Sequence, residues 1–211
     1  MALSGGSTPK ILFQLWADEF RTKIDWHRVH FFWGDERCVP PDDGDSNFGV
    51  AKKILLNRLG MPGVNIHRIE GEADPNQECK RYEMRISGSL PSENGWPRFT
   101  LILLGVGIDG HIASIFPDQL QTMMQSSRIC EIAIHPDSGQ RRITLTGNVL
   151  NNAAHVAFLA TGKNKAEILR DVINRQGAWQ HYPAAHVQPK GDLCFYLDRA
   201  AASMLGDRVC D

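Results

Sequence analysis

The 211-residue chain has almost no excess of charge: 23 Lys and Arg against 24 Asp and Glu leave a formal net charge of −1. Proteins that grip nucleic acid through its phosphates need a basic surface, so this balance argues against that class while leaving room for a small basic pocket. Long hydrophobic runs are missing. No stretch approaches the roughly 18 apolar residues that cross a bilayer, so no membrane partner is expected. The apolar start Met1–Leu3 breaks at once into Ser4-Gly5-Gly6, unlike a secretory leader. The five cysteines, Cys38, Cys79, Cys130, Cys194 and Cys210, are odd in number, widely spaced and without a C-x-x-C. They read as reduced thiols of a cytoplasmic protein, not as a disulfide frame or a zinc site. Repeats, low-complexity tracts and linkers are also missing, and residues 1–211 read as a single domain.

What is present is an alternation of strands and helices. The apolar runs Arg28–Trp33, Phe99–Leu104, Ile129–Ile134 and Ala154–Ala160 fit buried strands. A helix is expected over Pro9–Phe20, with Thr8 as its N-cap, Pro9 at the first helical position and Ile11, Leu12, Leu15, Trp16 and Phe20 on one face. Asn47–Leu59 and Lys163–Asn174 repeat apolar residues at helical spacing, and Asp74–Ile86 reads as a more polar helix. Such alternation predicts an α/β, Rossmann-like fold: a mostly parallel sheet with helices on both faces. Met1–Leu3 reads as the tail of a strand that feeds a glycine loop, so an N-terminal unit of the sheet is expected to be missing.

Open parallel sheets bind ligands beyond the carboxyl ends of their strands, and three unusual loops fall there. Ser4-Gly5-Gly6-Ser7-Thr8-Pro9 joins a strand end to a helix start. It is either an ordinary capped turn or an anion cradle of N–H groups and hydroxyls. Without Gly-Lys-Ser/Thr it is no Walker loop, and a single phosphate suits it better. Gly34-Asp35-Glu36-Arg37 follows the strand ending at Trp33, and Arg37 is either a clamp for phosphate or carboxylate or half of a surface ion pair. Downstream, Asp43–Asn47 imitates a calcium loop but has Phe48 for the turn glycine and Ile54 for the bidentate Glu, so Ser46 or Asn47 reads instead as a helix cap.

The third loop, Gly105-Val106-Gly107-Ile108-Asp109-Gly110-His111, spells G-x-G-x-x-G. A dinucleotide site is disfavoured because Asp109 would face a pyrophosphate and Pro117 would cut the next helix short. The loop instead displays Asp109 and His111 two residues apart at the mouth of the sheet, the pattern of a histidine acid–base catalyst with a carboxylate to orient it. Arg142, opening a short strand before Ile143–Leu145, and Lys165, in the first turn of a helix, are further cations a bound anion would favour. His181 and His186, even with Cys194, match no zinc spacing, and no metal or other cofactor is expected.

Together these loops resemble the glucosamine-6-phosphate isomerase/6-phosphogluconolactonase superfamily. The carriers are LSGGSTPK (3–10), FFWGDERCVP with SNFG (31–49), LLGVGIDGHIASIFP (103–117), RITLT followed by LNNA, and TGKNKAEIL (161–169), in family order along nearly the whole chain. The resemblance implies a metal-free hydrolase of carbohydrate metabolism that opens a phosphorylated sugar lactone, 6-phospho-D-glucono-1,5-lactone, in the pentose phosphate pathway. It implies that Ser4, Gly5, Gly6, Ser7 and Thr8 hold the phosphate, that Arg37, Arg142 and Lys165 add positive charge, and that Asp109 and His111 form the catalytic pair. The implied partner is a small sugar phosphate; a monomer is one state the sequence allows, and it does not fix the oligomeric state. Two alternatives stand beside this. One is a glucosamine-6-phosphate deaminase, which tends to carry Phe-Asn-Glu-Pro where this chain has Ser114-Ile115-Phe116-Pro117; the other is a non-catalytic sugar-phosphate-binding module.

Overall fold

A computed structural model describes residues 1–206. The apolar runs become strands shorter than their hydrophobic patterns: β1 (Ala2–Leu3), β2 (Phe31–Trp33), β7 (Leu101–Leu104) and β10 (His155–Ala160). With β4 (Ile66–His67) and β11 (Asp192–Leu197) they form one six-stranded sheet in the order β11-β10-β7-β1-β2-β4, every neighbouring pair parallel. All three residues of β2 are buried, as expected for a central parallel strand covered on both faces. The edge strand β11 is largely exposed and was not anticipated.

Two sequence expectations need correction here. Ile129–Ile134 is not part of the parallel sheet. Its core, β8 (Cys130–Ile134), pairs antiparallel with β9 (Arg141–Leu145), which pairs antiparallel with β3 (Asp35–Arg37) in a separate three-stranded sheet. Ile134 is exposed because it ends β8 opposite the exposed Arg141, at the far end of the strand from the buried Cys130. Second, Gly34–Arg37 is not simply a loop, since Asp35–Arg37 is itself the strand that joins the two sheets. Where the chain leaves β2, the buried Tyr82 hydroxyl donates to Trp33 O and accepts from Trp33 N, both at 2.8 Å. One side chain thus satisfies both main-chain groups at the turning point. A short hairpin, β5 (Ser92–Glu93) and β6 (Trp96–Pro97), precedes β7.

The helices form in the expected segments, but α1 differs in its start, its cap and its buried face. The first, α1 (Ser7–Glu19), starts two residues earlier than expected, so that Gly6 takes the N-cap position and no side chain caps it. Thr8 is therefore not the cap; its Oγ1 lies 3.0 Å from Thr161 Oγ1 instead. The buried face of α1 is Pro9, Phe13 and Ala17, while Ile11 and Leu15 are exposed. Helix α2 (Asn47–Ala51) runs through a wide π turn, Lys52–Leu56, into α3 (Asn57–Leu59), and Ser46 caps it by accepting from Gly49 N at 3.0 Å. Helix α4 (Pro75–Ser89) has Asp74 as its cap and Pro75 at its first position. Short α5 (Leu120–Met124) and α6 (Gly147–Asn151) follow, and α7 (Ala166–Asn174) grows out of a 3-10 turn at Lys163–Lys165. Among the described residues no helix is long and apolar enough to cross a membrane.

Candidate active site

The loops after β1, β2, β7 and β10 leave the carboxyl ends of four adjacent strands, on either side of the point where the strand order reverses between β1 and β7. That reversal opens a crevice in sheets of this type. A cavity of about 210 Å³ occupies it. Ser4, Gly5, Gly6, Ser7 and Thr8 line one side, and Arg37, Arg142, Lys165 and His111 also face it. The structure thus gathers every expected phosphate-site residue around one space, from segments more than 100 residues apart. Asp109 adjoins it through its bond to His111.

The glycine loop supplies the cradle. The uncapped start of α1 leaves its first-turn N–H groups free for an anion, and the 13-residue helix adds the positive end of its dipole. Among the described residues none of the three cations is held in a direct salt bridge. Arg37 is not the surface ion pair that its acidic neighbours suggested; its Nη1 donates to the Asp45 carbonyl at 2.6 Å, and its buried Nε has no partner among the described residues. Arg142 is buried, with its guanidinium carbon 5.6 Å from the Phe116 ring centroid. Burial and the neighbouring Arg37 charge push its guanidinium below the ordinary value, against the pull of Asp35 and Asp45. Lys165 is half-buried and Lys163 exposed. Burial lowers the Lys165 ammonium, opposed by the negative charge of Asp109. A bound anion would relieve all three groups.

The opposite feature is the Asp–His pair. His111 Nδ1 lies 2.6 Å from Asp109 Oδ1, which also accepts from the His111 backbone N–H at 3.2 Å. With Asp109 ionised, Nδ1 is the donor, leaving Nε2 with its lone pair. Burial alone would raise the Asp109 carboxyl, but the His111 hydrogen bond and charge outweigh it and hold the group below the usual carboxylate range. Gly107 makes room for the pair: a Cβ there would stand 2.2 Å from His111 Nδ1 and 2.3 Å from Asp109 Oδ1. The Phe116 ring packs 5.0 Å from the imidazole.

The sequence did not reveal Asp35 as a site residue. Buried in the cavity wall, it accepts from Ser114 Oγ at 2.7 Å and from Asn47 Nδ2 at 3.3 Å. It thereby ties the loop that carries His111 to the start of α2. The four described cysteines are free thiols, and Cys210 lies outside the described residues. Among the described residues no three His, Cys, Asp or Glu side chains converge as metal ligands, and His186 Nε2 donates to the Gln180 carbonyl at 2.8 Å.

This fold and cavity define an α/β protein in which a glycine loop, three cationic side chains and an Asp-bonded histidine meet at one cleft. The chain belongs to the family described as glucosamine-6-phosphate isomerases/6-phosphogluconolactonase, whose profile matches residues 1–195. It is similar to the 6-phosphogluconolactonase of Haemophilus influenzae, with 43% identity over 207 residues that cover 97% of this chain and 87% of that one. The 6-phosphogluconolactonase of Treponema pallidum is 45% identical over 172 residues, 82% of this chain and 71% of that one. Among solved structures, the 6-phosphogluconolactonase from Trypanosoma brucei superposes with a TM-score of 0.86 at 30% identity, covering 97% of this chain and 85% of that one.

Proposed function

We propose that this protein hydrolyses 6-phospho-D-glucono-1,5-lactone to 6-phospho-D-gluconate, with His111 as the general base. The observation that carries the reading is that one cavity holds both an uncapped glycine loop with three cations and an Asp-oriented imidazole. The similarity to the lactonases above supports the same substrate.

In this reading the glycine loop, Arg37, Arg142 and Lys165 anchor the phosphate, and the lactone carbonyl carbon lies towards His111. Nε2 takes a proton from a water molecule as its oxygen attacks that carbon. The imidazolium, stabilised by Asp109, then returns the proton to the departing ring oxygen, so base and acid are the same group. Proton transfer of this kind is worth about 10²–10⁴ in rate. Anchoring through the remote phosphate adds to this by restricting the motion of the reacting end.

Hydrolysis suits the site better than sugar-phosphate isomerisation because, among the described residues, Asp109 is the only carboxylate bonded to His111, and the ring also packs against the apolar Phe116. The deciding assay follows acid release from the lactone above the spontaneous rate, beside ammonia release from glucosamine 6-phosphate. Accelerated lactone opening without ammonia supports the proposal. Ammonia release would establish the deaminase, and product binding without acceleration would leave a binding module.

A further inference from the structure

We infer that the segment Trp179–His186, with Tyr182 at its centre, is a positioning element that holds the Asp109–His111 pair in its working geometry. The inference rests on the catalytic reading of His111 given above. The residue between the pair is Gly110, buried and at φ +80°. Glycine leaves that link free to turn, since both signs of φ are open to it. Any rotation there swings the imidazole relative to the carboxylate, so the 2.6 Å bond needs an outside brace.

The brace comes from a segment some 70 residues further along the chain. A Cβ built on Gly110 would stand 2.6 to 2.9 Å from Cβ, Cγ and Cδ1 of Tyr182, so the tyrosine lies directly against the bare Cα. Ala184 N donates to Gly110 O at 3.0 Å, fixing the peptide that leads into His111. On the other side, Gly110 N donates to Gly107 O at 3.1 Å, and Gly107 N to His111 O at 2.8 Å. The brace is itself stiff. Two short turns, Trp179–His181 and Pro183–His186, abut at Tyr182; Pro183, Ala184 and Ala185 are buried; and Asn151 Nδ2 from α6 donates to His186 O at 3.2 Å. No residue of this segment lines the cavity that His111 faces. Its contribution to catalysis is therefore exerted through Gly110, not on the substrate.

The Tyr182 hydroxyl makes no hydrogen bond among the described residues, so the ring is the working part. Tyr182→Phe is expected to retain wild-type kcat. Tyr182→Ala, and Tyr182→Leu as the better-packed second variant, should lower kcat by about ten- to a hundredfold while KM stays within about twofold, because displacement of a reacting group by about 1 Å costs that much and the phosphate cradle is untouched. The second readout is the long-range ¹H–¹⁵N spectrum of the His111 imidazole in each protein. A single Nδ1–H tautomer in wild type and Tyr182→Phe, giving way to a tautomer mixture in Tyr182→Ala or Tyr182→Leu, supports the brace. Wild-type kcat and an unchanged tautomer in both truncated variants overturn it, as does a loss of kcat matched by an equal rise in KM. The spectrum does not depend on the substrate: if wild type fails to open the lactone, the functional proposal falls while the tautomer still decides this one.

Discussion

Asn47 fills the space directly over Gly5: a Cβ on Gly5 would fall 1.8 Å from Asn47 Oδ1. Asn47 cannot retreat, because its Nδ2 donates to Asp35 O at 3.0 Å and its backbone N–H to Glu36 Oε1 at 2.7 Å. Gly5→Ala must therefore deform the phosphate cradle. Loss of one good hydrogen bond to a charged ligand, about 1.5–3 kcal/mol, corresponds to about ten- to a hundredfold weaker binding. Calorimetric titration with 6-phosphogluconate should show a weakening of that size. An unchanged dissociation constant would remove the loop from the phosphate site.

Arg37 and Lys165 face the same cavity, with the Arg37 Nε unpartnered among the described residues. Arg37→Ala and Lys165→Ala should each raise KM by about tenfold or more, with the smaller effect on kcat, because they bind substrate and transition state alike. Steady-state kinetics in each variant checks this. A fall in kcat at constant KM would place that cation at the reacting end instead.

Gly107→Ala should act on chemistry and spare binding. Its methyl group would occupy the space of the Asp109–His111 bond. The expected result is a kcat reduced about a hundredfold with product affinity retained, since the phosphate cradle lies on other loops. Equal losses in both would mean that the whole cleft had collapsed.

A stability prediction comes from the other end of the sheet. His67 is buried; its Nδ1 accepts from Arg85 Nε at 2.7 Å, and its Nε2 lies 2.8 Å from His30 Nδ1. Burial first, then the charges of Arg85 and His30, push its imidazole down from 6.5 to about 4. The folded state thus favours neutral His67, while the unfolded chain takes up the proton more readily. The stability this group supports is fully present above pH 6.5 and is lost as the pH falls towards about 4. Denaturant midpoints measured across that window should decline, and His67→Gln should flatten the decline. The same slope in both proteins would exclude His67 as its source.

Much of this was legible in the sequence because strand ends, glycines and charges lie together. The parallel sheet follows from runs such as Phe31–Trp33, and the Asp109–His111 pair and the cations are adjacent to their strands or within one motif. What was not legible depended on tertiary choice. Apolar residues surround most of α1, so periodicity alone could not select Phe13 and Ala17 over Ile11 and Leu15. Thr8 reads as a cap until the loop's close approach to Thr161 is known. Strand β11 did carry a signal, the run Leu193–Leu197, but its open face blurred it. Ser114 reaches Asp35 across 79 residues of sequence, Tyr182 comes to Gly110 from a similarly remote segment, and no local pattern announces either meeting.

The most direct test of the central claim is the steady-state kinetics of His111→Ala, corrected for spontaneous lactone opening, beside its affinity for 6-phosphogluconate. Loss of the imidazole should lower kcat by about 10²–10⁴ while the product still binds as in wild type. A variant that opens the lactone at the wild-type rate would contradict the account.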